Sequence, residues 1–333
     1  MSAKTMIKRF LISLITLFAA TIFTFFLLRM TPGNAYDKWA KDLALQRGIT
    51  FEEARELVVG MSNYDPDEPM LKQFGRYVGG LLHGNFGHSM YNPNMTVNKI
   101  LGKALPWTIF MLTIALLISF VVGINLGVIM AWKRDSVLNP IISIYAIISG
   151  AIPNFLVAII LMIVFSFKLK LFPMRGAYDA TVATPGFNLK FILNVFHHAA
   201  LPILTYVLTS VGMWALSMKG TAVSVLGEDY ITAAWVRGVP EKNIMKNYVK
   251  KNALLPLITS LAISFGLMLG GSALIENQFN YPGLGFYMSE AAVKRDYTIM
   301  QGLLFVTSFA VIVANFIAEM VYAKLDPRVN LEE

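Results

Sequence analysis

The sequence predicts an all-α integral membrane protein with six transmembrane helices and a folded cap between the first two. Hydrophobic residues make up 56% of the 333 positions, and charged residues only 14%. Soluble domains carry about 25% charged residues. The mean hydropathy is +0.59, and apolar runs long enough to cross a bilayer alternate with polar segments along the chain. A water-soluble domain is therefore excluded.

The first apolar run, Phe10–Leu28, would form a helix about 28 Å long, which spans a bilayer core. No small-residue cleavage site follows it before Arg29, so we interpret it as a retained anchor rather than a signal peptide. Five further spans are predicted at Trp107–Trp132, Ile141–Phe167, Ala199–Met218, Leu257–Ile275 and Gly302–Tyr322.

Charge distribution predicts the orientation. Lys and Arg are about twice as dense in the segments 1–9, 133–138, 219–255 and 324–333 as in the segments between them. Since basic residues favour the cytoplasmic side, both termini are expected inside the cell. This gives an anchor at 1–28, an extracellular cap region at 29–105, a membrane core at 95–323 and a cytoplasmic tail at 324–333. The basic residues that give the net charge of +8 lie in the segments beside the predicted spans, so the charge does not favour nucleic-acid binding.

The cap region carries its own helix signals. Thr50 and Glu53 have the spacing of a capping box, which predicts a helix from Phe51 onward. A second helix is indicated by a stripe of apolar residues with helical spacing: Leu71, Phe74, Tyr77, Val78, Leu81 and Leu82. We therefore expect a small folded cap, which either packs on the membrane core or also docks an external protein.

Within the spans, small residues and one proline are informative. Gly123/Gly127 and Gly266/Gly270 have the four-residue spacing that allows close helix packing in lipid. Pro153 is expected to break the third span.

Several chemistries find no support in the sequence. It lacks cysteine, the GxxxxGK[ST] phosphate loop, HExxH and GxSxG. The adjacent His197 and His198 are read as an interfacial anchor rather than a metal site. No catalytic or metal-binding residue is predicted, and no cofactor is expected in this chain.

The polar stretch 227–256 is predicted to form a helical hairpin between the fourth and fifth spans. Asp229 is the expected N-cap, Gly238 the end of the first helix, and Pro240 and Glu241 the first turn of a second. The second helix would place Lys242, Lys246 and Lys250 opposite an apolar face formed by Ile244, Met245, Tyr248 and Val249.

Three interpretations of this hairpin were compared. A DNA-binding helix-turn-helix lacks a base-reading helix and would be held against a membrane. A surface loop without a partner remains open on physical grounds. A docking site for a cytoplasmic protein fits better, because Ala233 and Ala234 lack bulk where another surface could approach.

The hairpin resembles the cytoplasmic "EAA" loop of ABC importer permeases, in the form found in the dipeptide and oligopeptide branch. Gly238 and Pro256 have the longer spacing of that branch, and Thr232 replaces the glutamate of the motif's name. The resemblance implies an ATPase-coupling site formed by Asp229, Tyr230, Thr232, Ala233, Ala234, Arg237, Gly238, Pro240 and Pro256.

Further motifs extend the resemblance along nearly the whole chain. These are LLRMTPGN (27–34), GNFGHS (84–89), ENQFNYPGLG (276–285), KRDYTIMQG (294–302) and YAKLDPRV (322–329). In GNFGHS, Asn85 replaces the usual acid. The third motif places a family signature at the outer mouth: Glu276, Phe279, Pro282, Gly283 and Gly285. Glu276 either lines that mouth or binds the turn amides around Pro282–Gly285, and we favour the second role.

The resemblance implies that the chain is the B-type permease subunit of a type I ABC importer, with the type I permease fold, in a bacterial or archaeal cell membrane. Its expected partners are a second homologous permease, two cytoplasmic ATPases that hold ATP and Mg, an extracellular binding protein and membrane lipid, but no nucleic acid. Di- and oligopeptides are the expected cargo. A nickel chelate, sugar or modified peptide is the alternative. An ion-coupled secondary transporter is disfavoured, because few ionisable residues lie in mid-span.

Overall fold

The computed structural model describes residues 3–31, 35–61, 68–92, 94–271 and 273–325. Parts of three predicted segments lie outside these residues: the turn 32–34, the acidic stretch 62–67 and the tail from 326 onward. Within the described residues the regular elements are helices. The chain also forms one isolated antiparallel β-bridge, between His88 and Thr96.

The described helices follow one another in this order. The first group is α1 (Ala3–Met30), α2 (Ala35–Arg47), α3 (Phe51–Met61) and α4 (Met70–Leu82). The second is α5 (Val97–Trp132), α6 (Leu138–Ala151), α7 (Asn154–Leu161, extended by a π-helical turn at Met162–Lys168) and α8 (Leu189–Leu226). The third is α9 (Asp229–Val236), α10 (Glu241–Asn243, followed by a π-helical segment at Ile244–Lys250), α11 (Lys251–Gly271), α12 (Ala273–Gln278), α13 (Leu284–Lys294) and α14 (Tyr297–Leu325).

Five described helical stretches are long and apolar enough to cross a membrane, and the bent pair α6 and α7 makes six if it counts as one span. The stretches contain α1, α5, α8, α11 and α14, at the predicted places. Most are longer than predicted: α5 begins ten residues before Trp107, and α8 extends beyond both Ala199 and Met218. The additional helical turns lie outside the apolar runs from which the spans were predicted.

The third span is broken where Pro153 predicts a break. Pro153 has an extended backbone conformation, with φ −57° and ψ 134°, between α6 and α7. The two helical segments meet at an angle of 101°. Proline lacks the amide hydrogen and disfavours helix in the preceding residue, and Ile152 before it is indeed extended, with φ −85° and ψ 123°.

Glycines set the closest helix contacts of the membrane core. A Cβ at Gly123 would lie 2.4 Å from Cβ of Trp214, and one at Gly127 would lie 2.4 Å from the Ala215 carbonyl oxygen. The Gly123/Gly127 pair therefore joins α5 to α8, as predicted. Gly266 faces Val311 and Ala314 of α14 at 3.1–3.2 Å, whereas the surroundings of Gly270 lie outside the described residues.

The cap between the first two spans is helical, as its signals predict. The amide of Thr50 donates to the Glu53 carboxylate at 3.0 Å, and the Glu53 amide donates to the Thr50 hydroxyl at 3.3 Å, so the capping box is present. On α4, the rings of Phe74 and Tyr77 pack on Phe25 of α1.

The apolar stripe of α4 is only partly covered. Leu71 is 77% exposed and Leu82 is 81% exposed, although both belong to the stripe that would hold the cap on the core. Packing on α1 therefore uses the middle of the stripe, and its two ends face outward.

Candidate functional site

The first helix of the hairpin begins one residue earlier than expected. Glu228 occupies the N-cap position, with extended backbone and no side-chain capping bond, and Asp229 is the first helical residue. The prediction that Asp229 is the N-cap is therefore wrong, although its carboxylate still lies near the positive end of the helix dipole.

Gly238 ends this helix in the predicted manner. Its φ of +72° lies in the left-handed region that favours glycine. The Gly238 amide donates to the Trp235 carbonyl at 2.9 Å, and the Val239 amide donates to the Ala234 carbonyl at 3.1 Å. This pair of bonds is a Schellman motif, which fixes the direction of the chain after α9.

The second half of the hairpin differs from the prediction of a separate basic helix. Pro240 stands at the N-cap of α10 rather than inside its first turn, since its ψ of 135° lies outside the helical region. After α10 the π-helical segment runs directly into α11, which contains Pro256. The hairpin therefore continues into the fifth span without a break.

Packing separates the two alanines that were expected to face a partner together. Ala234 is buried with Ile231, Ile244 and Val249 in a cluster that also includes residues of α5 and α8. Ala233 is exposed. Adjacent helical residues point about 100° apart, so the chain's own core can cover Ala234 while Ala233 stays exposed. Ala234 therefore does not face outward together with Ala233, and its small size fits it against its own chain.

The exposed side of α9 forms a compact surface, which we call the tip surface: Thr232, Ala233, Val236 and Arg237. They form two i, i+4 pairs, Thr232 with Val236 and Ala233 with Arg237, on neighbouring stripes of the same exposed side. Val236, the last residue of α9, is 84% exposed. Tyr230, at 39% exposure, and Asp229 lie beside this surface.

Contacts that the sequence did not indicate fasten the hairpin to α5. The ring of Trp132 stacks on Trp235, with centroids 6.0 Å apart, and its indole Nε1 donates to Glu241 at 2.6 Å. Lys250 Nζ donates to the Asn125 side chain at 2.8 Å. Lys250 therefore binds α5, whereas Lys242 and Lys246 are exposed as predicted. The contact of Lys250 with α5 was not predicted, because helical phase alone does not show which neighbouring helix lies within reach.

A second site lies at the end of α12, where Glu276 is fully buried. One carboxylate oxygen accepts from the amides of Gly285 at 2.7 Å and Phe286 at 3.2 Å. The other accepts from the Thr108 hydroxyl at 2.7 Å. The predicted binding of turn amides is therefore confirmed, while Thr108 is a partner that sequence reasoning missed.

The glycines of this signature have a steric role. A Cβ at Gly283 would lie 2.4 Å from both the Glu276 carboxylate and the Thr108 hydroxyl, and one at Gly285 would lie 2.3 Å from Cα of Ala273. Phe279 is buried and Pro282 is half-buried beside them. The five signature residues thus form one compact turn at the end of α12.

Two other motifs also meet in space. Ser89, from GNFGHS, donates its hydroxyl to Asp296, from KRDYTIMQG, at 2.5 Å, and the Met90 amide donates to the same oxygen at 3.0 Å. Burial raises the pKa of the Asp296 carboxyl above its ordinary value, although hydrogen bonds from Ser89, Ile299 and Met90 oppose this rise. The contact ties the end of the cap to the start of α14.

The histidine pair makes local contacts. His197 Nε2 lies 2.9 Å from the Leu171 carbonyl oxygen, and His198 Nδ1 lies 2.9 Å from the Asn194 carbonyl oxygen. Among the described residues, no group of three or more His, Asp or Glu side chains could hold a metal ion.

Comparison with known proteins agrees with these motifs. Residues 123–331 match the family model described as "Binding-protein-dependent transport system inner membrane component". The chain is 30% identical to the dipeptide transport system permease protein DppB of Bacillus subtilis, over 99% of both chains. It is 29% identical to the oligopeptide transport system permease protein AppB of the same organism, over 98% of this chain and 99% of the relative. The chain therefore belongs to the family of inner membrane components of binding-protein-dependent transport systems.

Proposed function

We propose that this chain is a permease subunit of an ATP-driven importer for di- and oligopeptides. With a second, homologous permease it forms the membrane path for cargo delivered by an extracellular binding protein. Two cytoplasmic ATPases hold the ATP and Mg, and this chain has no catalytic role. The family and the names of the relatives support this assignment. Both termini are cytoplasmic in this proposal.

The observation that carries the coupling role is the tip surface, held rigidly at the end of two spans. Its inner side is buried, its C-terminal turn is fixed by Gly238, and Trp132 and Asn125 fasten the hairpin to α5. A rigid, partly apolar projection of this kind suits a groove on another protein. Because the hairpin continues into α11, a displacement of the tip surface passes directly to a span.

The two alanines allow a direct test of this role. Ala233→Trp adds bulk on the exposed tip surface, so it should leave folding intact while lowering transport, substrate-stimulated ATP hydrolysis and ATPase co-purification. Ala234→Trp adds the same bulk inside the chain's own core, where overpacking costs about 1–3 kcal/mol, and should lower thermal stability even without partners. Wild-type transport and ATPase retention in Ala233→Trp would contradict docking at the tip surface.

The cargo is tested in proteoliposomes that contain the complete complex and its binding protein. Uptake of labelled di- and tripeptides should depend on ATP, and unlabelled peptides should compete. Competition by a nickel chelate or a sugar, but not by peptides, would assign the alternative cargo. Uptake driven by an ion gradient without ATP would contradict the importer assignment altogether.

A further inference from the structure

A cavity of about 520 Å³ lies at the membrane edge where α1 ends and α14 begins. Arg29, in the last turn of α1, lines one side, and Thr298 and Gln301, in the first turns of α14, line another. Helix α4 and the loop that follows it close the outer side. Because α1 and α14 are both long and apolar enough to cross a membrane, we place the cavity at the level where lipid head groups meet the apolar core.

The cavity is lined by basic side chains. The arginines Arg29 and Arg76 and the histidines His83 and His88 border it, and no acidic side chain is among the described residues of its lining. Two acids lie just behind the lining: Glu68, which contacts Arg76 at 2.6 Å and Lys72 at 3.2 Å, and Asp296, which accepts from Ser89 and Met90. Three cations, Arg29, Arg76 and Lys72, stand against these two carboxylates, so the local excess of charge is positive.

The donors in this cavity are held in place. The Arg29 guanidinium lies over the rings of Phe25 and Tyr297, at 4.9 and 5.6 Å from their centroids, and its Nε donates to Gln73 at 3.0 Å. Gln301 is 3% exposed, and its Nε2 is buried without a hydrogen-bond partner in the described structure. A buried amide donor beside planar guanidinium groups suits a ligand with several acceptor oxygens, such as a phosphate ester.

The helices α1 and α4, which border the cavity, also carry exposed apolar side chains that do not line it. Leu71 and Leu82 of α4 are 77% and 81% exposed, and Phe23 and Met30 of α1 are 65% and 77% exposed. An amphipathic helix with such residues on one side lies in the interface plane of a bilayer. A ligand that combines a charged head with apolar tails would match both the cavity and these surfaces.

We propose that this cavity binds the head group of an anionic phospholipid, fixing the cap to the membrane edge. The guanidinium groups of Arg29 and Arg76 donate hydrogen bonds to the phosphate, and the Gln301 amide donates to one of its oxygens. The site is separate from the tip surface, which lies at the opposite end of α5 from the cap.

The test uses the full-length purified chain in detergent, titrated with phosphatidylglycerol or phosphatidylcholine and followed by native mass spectrometry and thermal unfolding. Phosphatidylglycerol should bind and raise the unfolding temperature, because a ligand that binds only the folded state stabilises it. The double variant Arg29→Gln/Arg76→Gln should bind phosphatidylglycerol at least tenfold more weakly, with phosphatidylcholine unaffected.

Matched variants separate this site from general charge effects. Arg47→Gln removes one exposed cation from the same cap, away from the cavity, and should leave phosphatidylglycerol binding unchanged. If the double variant fails to fold, Arg76→Gln alone serves, because its side chain is 52% exposed, and it should still weaken binding several-fold. Gln301→Leu should weaken binding without any change in charge.

Two outcomes would overturn the proposal. Equal phosphatidylglycerol binding by wild type and by the cavity variants would show that the cavity is not the lipid site. Displacement of bound phosphatidylglycerol by millimolar inorganic phosphate would assign the cavity to a small anion instead. Retention of lipid in the presence of phosphate, with loss in the variants, is the expected result.

Discussion

Glu276 shows how a single carboxylate organises a turn inside an apolar environment. Burying a charged or polar group without hydrogen-bond partners is costly. Glu276 avoids this cost because it accepts hydrogen bonds from two backbone amides and one hydroxyl. The Thr108 hydroxyl in turn accepts from the Leu284 amide at 2.8 Å. Side chains from α5 and α12 therefore satisfy three consecutive amides at the start of α13.

Replacement of this carboxylate tests its structural role. Glu276→Gln places an amide donor toward groups that already donate, so the free energy of unfolding should fall by about 1–3 kcal/mol. Thr108→Val should also destabilise, and the double variant should show a coupling energy of about 0.5–3 kcal/mol, because the two residues share one network. Thermal or denaturant unfolding of the purified chain measures these values.

The control for this prediction is Glu290→Gln, which breaks an exposed i, i+4 pair with Lys294 at 3.4 Å. Exposed pairs of this kind contribute about 0.2–0.5 kcal/mol. If Glu276→Gln changed stability no more than Glu290→Gln does, the network at the end of α12 would not be structural.

At the scale of elements, the membrane core depends on how closely α5 and α8 approach. Residues on α8 press on Gly123 and Gly127 within the distance that a methyl group would occupy, and Gly212 of α8 meets Ala146 of α6 in the same way. In lipid there is little hydrophobic gain from joining two apolar helices, so tight van der Waals contact between backbones supplies the attraction. The glycines make these contacts possible.

Adding one methyl group tests this packing. Gly127→Ala would bring Cβ to 2.4 Å from the Ala215 carbonyl oxygen, so it should separate the helices and cost about 1–3 kcal/mol. Gly220→Ala, on α8 with nothing within 4 Å, should be neutral or stabilise by about 0.5–1 kcal/mol, because alanine is the better helix former. Unfolding midpoints of both variants give the comparison. Equal effects at the two positions would refute the packing role of Gly127.

At the scale of the whole molecule, the cap and the hairpin lie at opposite ends of the membrane domain, so each can contact partners on one side of the membrane only. The cap, the outer turn at Glu276 and the start of α14 form one end, linked by Ser89 and Asp296. The hairpin forms the other end, beyond α8 and α11. The proposed docking of ATPases therefore requires the hairpin to be cytoplasmic and the cap extracellular.

Cysteine labelling tests this orientation without background, since the chain contains no cysteine. Leu45→Cys, on the cap at 85% exposure, should react with an impermeant maleimide added to intact cells. Asn243→Cys, on the exposed side of the hairpin, should react only in inside-out vesicles. The reverse pattern would invert the topology and remove the basis for the coupling proposal.

Signals that depend on a few neighbouring residues were predictable from the sequence. The capping box of Thr50 and Glu53, the left-handed Gly238 and the break at Pro153 each follow from the chemistry of a short segment. Apolar runs likewise located the spans, because crossing lipid requires about 20 apolar residues wherever they occur. The family motifs are also read from short segments, so the family assignment needed no coordinates.

Contacts between distant segments were decided by the tertiary structure alone. Thr108 and Glu276 are 168 positions apart, and Ser89 and Asp296 are 207 apart. The burial of Ala234 beside the exposed Ala233 also depends on where α5 and α11 pass the hairpin. Local chemistry states what a residue can bind, whereas packing decides which partner comes within reach. The sequence therefore determined the membrane class, the spans and the family, and the fold decided which residues meet.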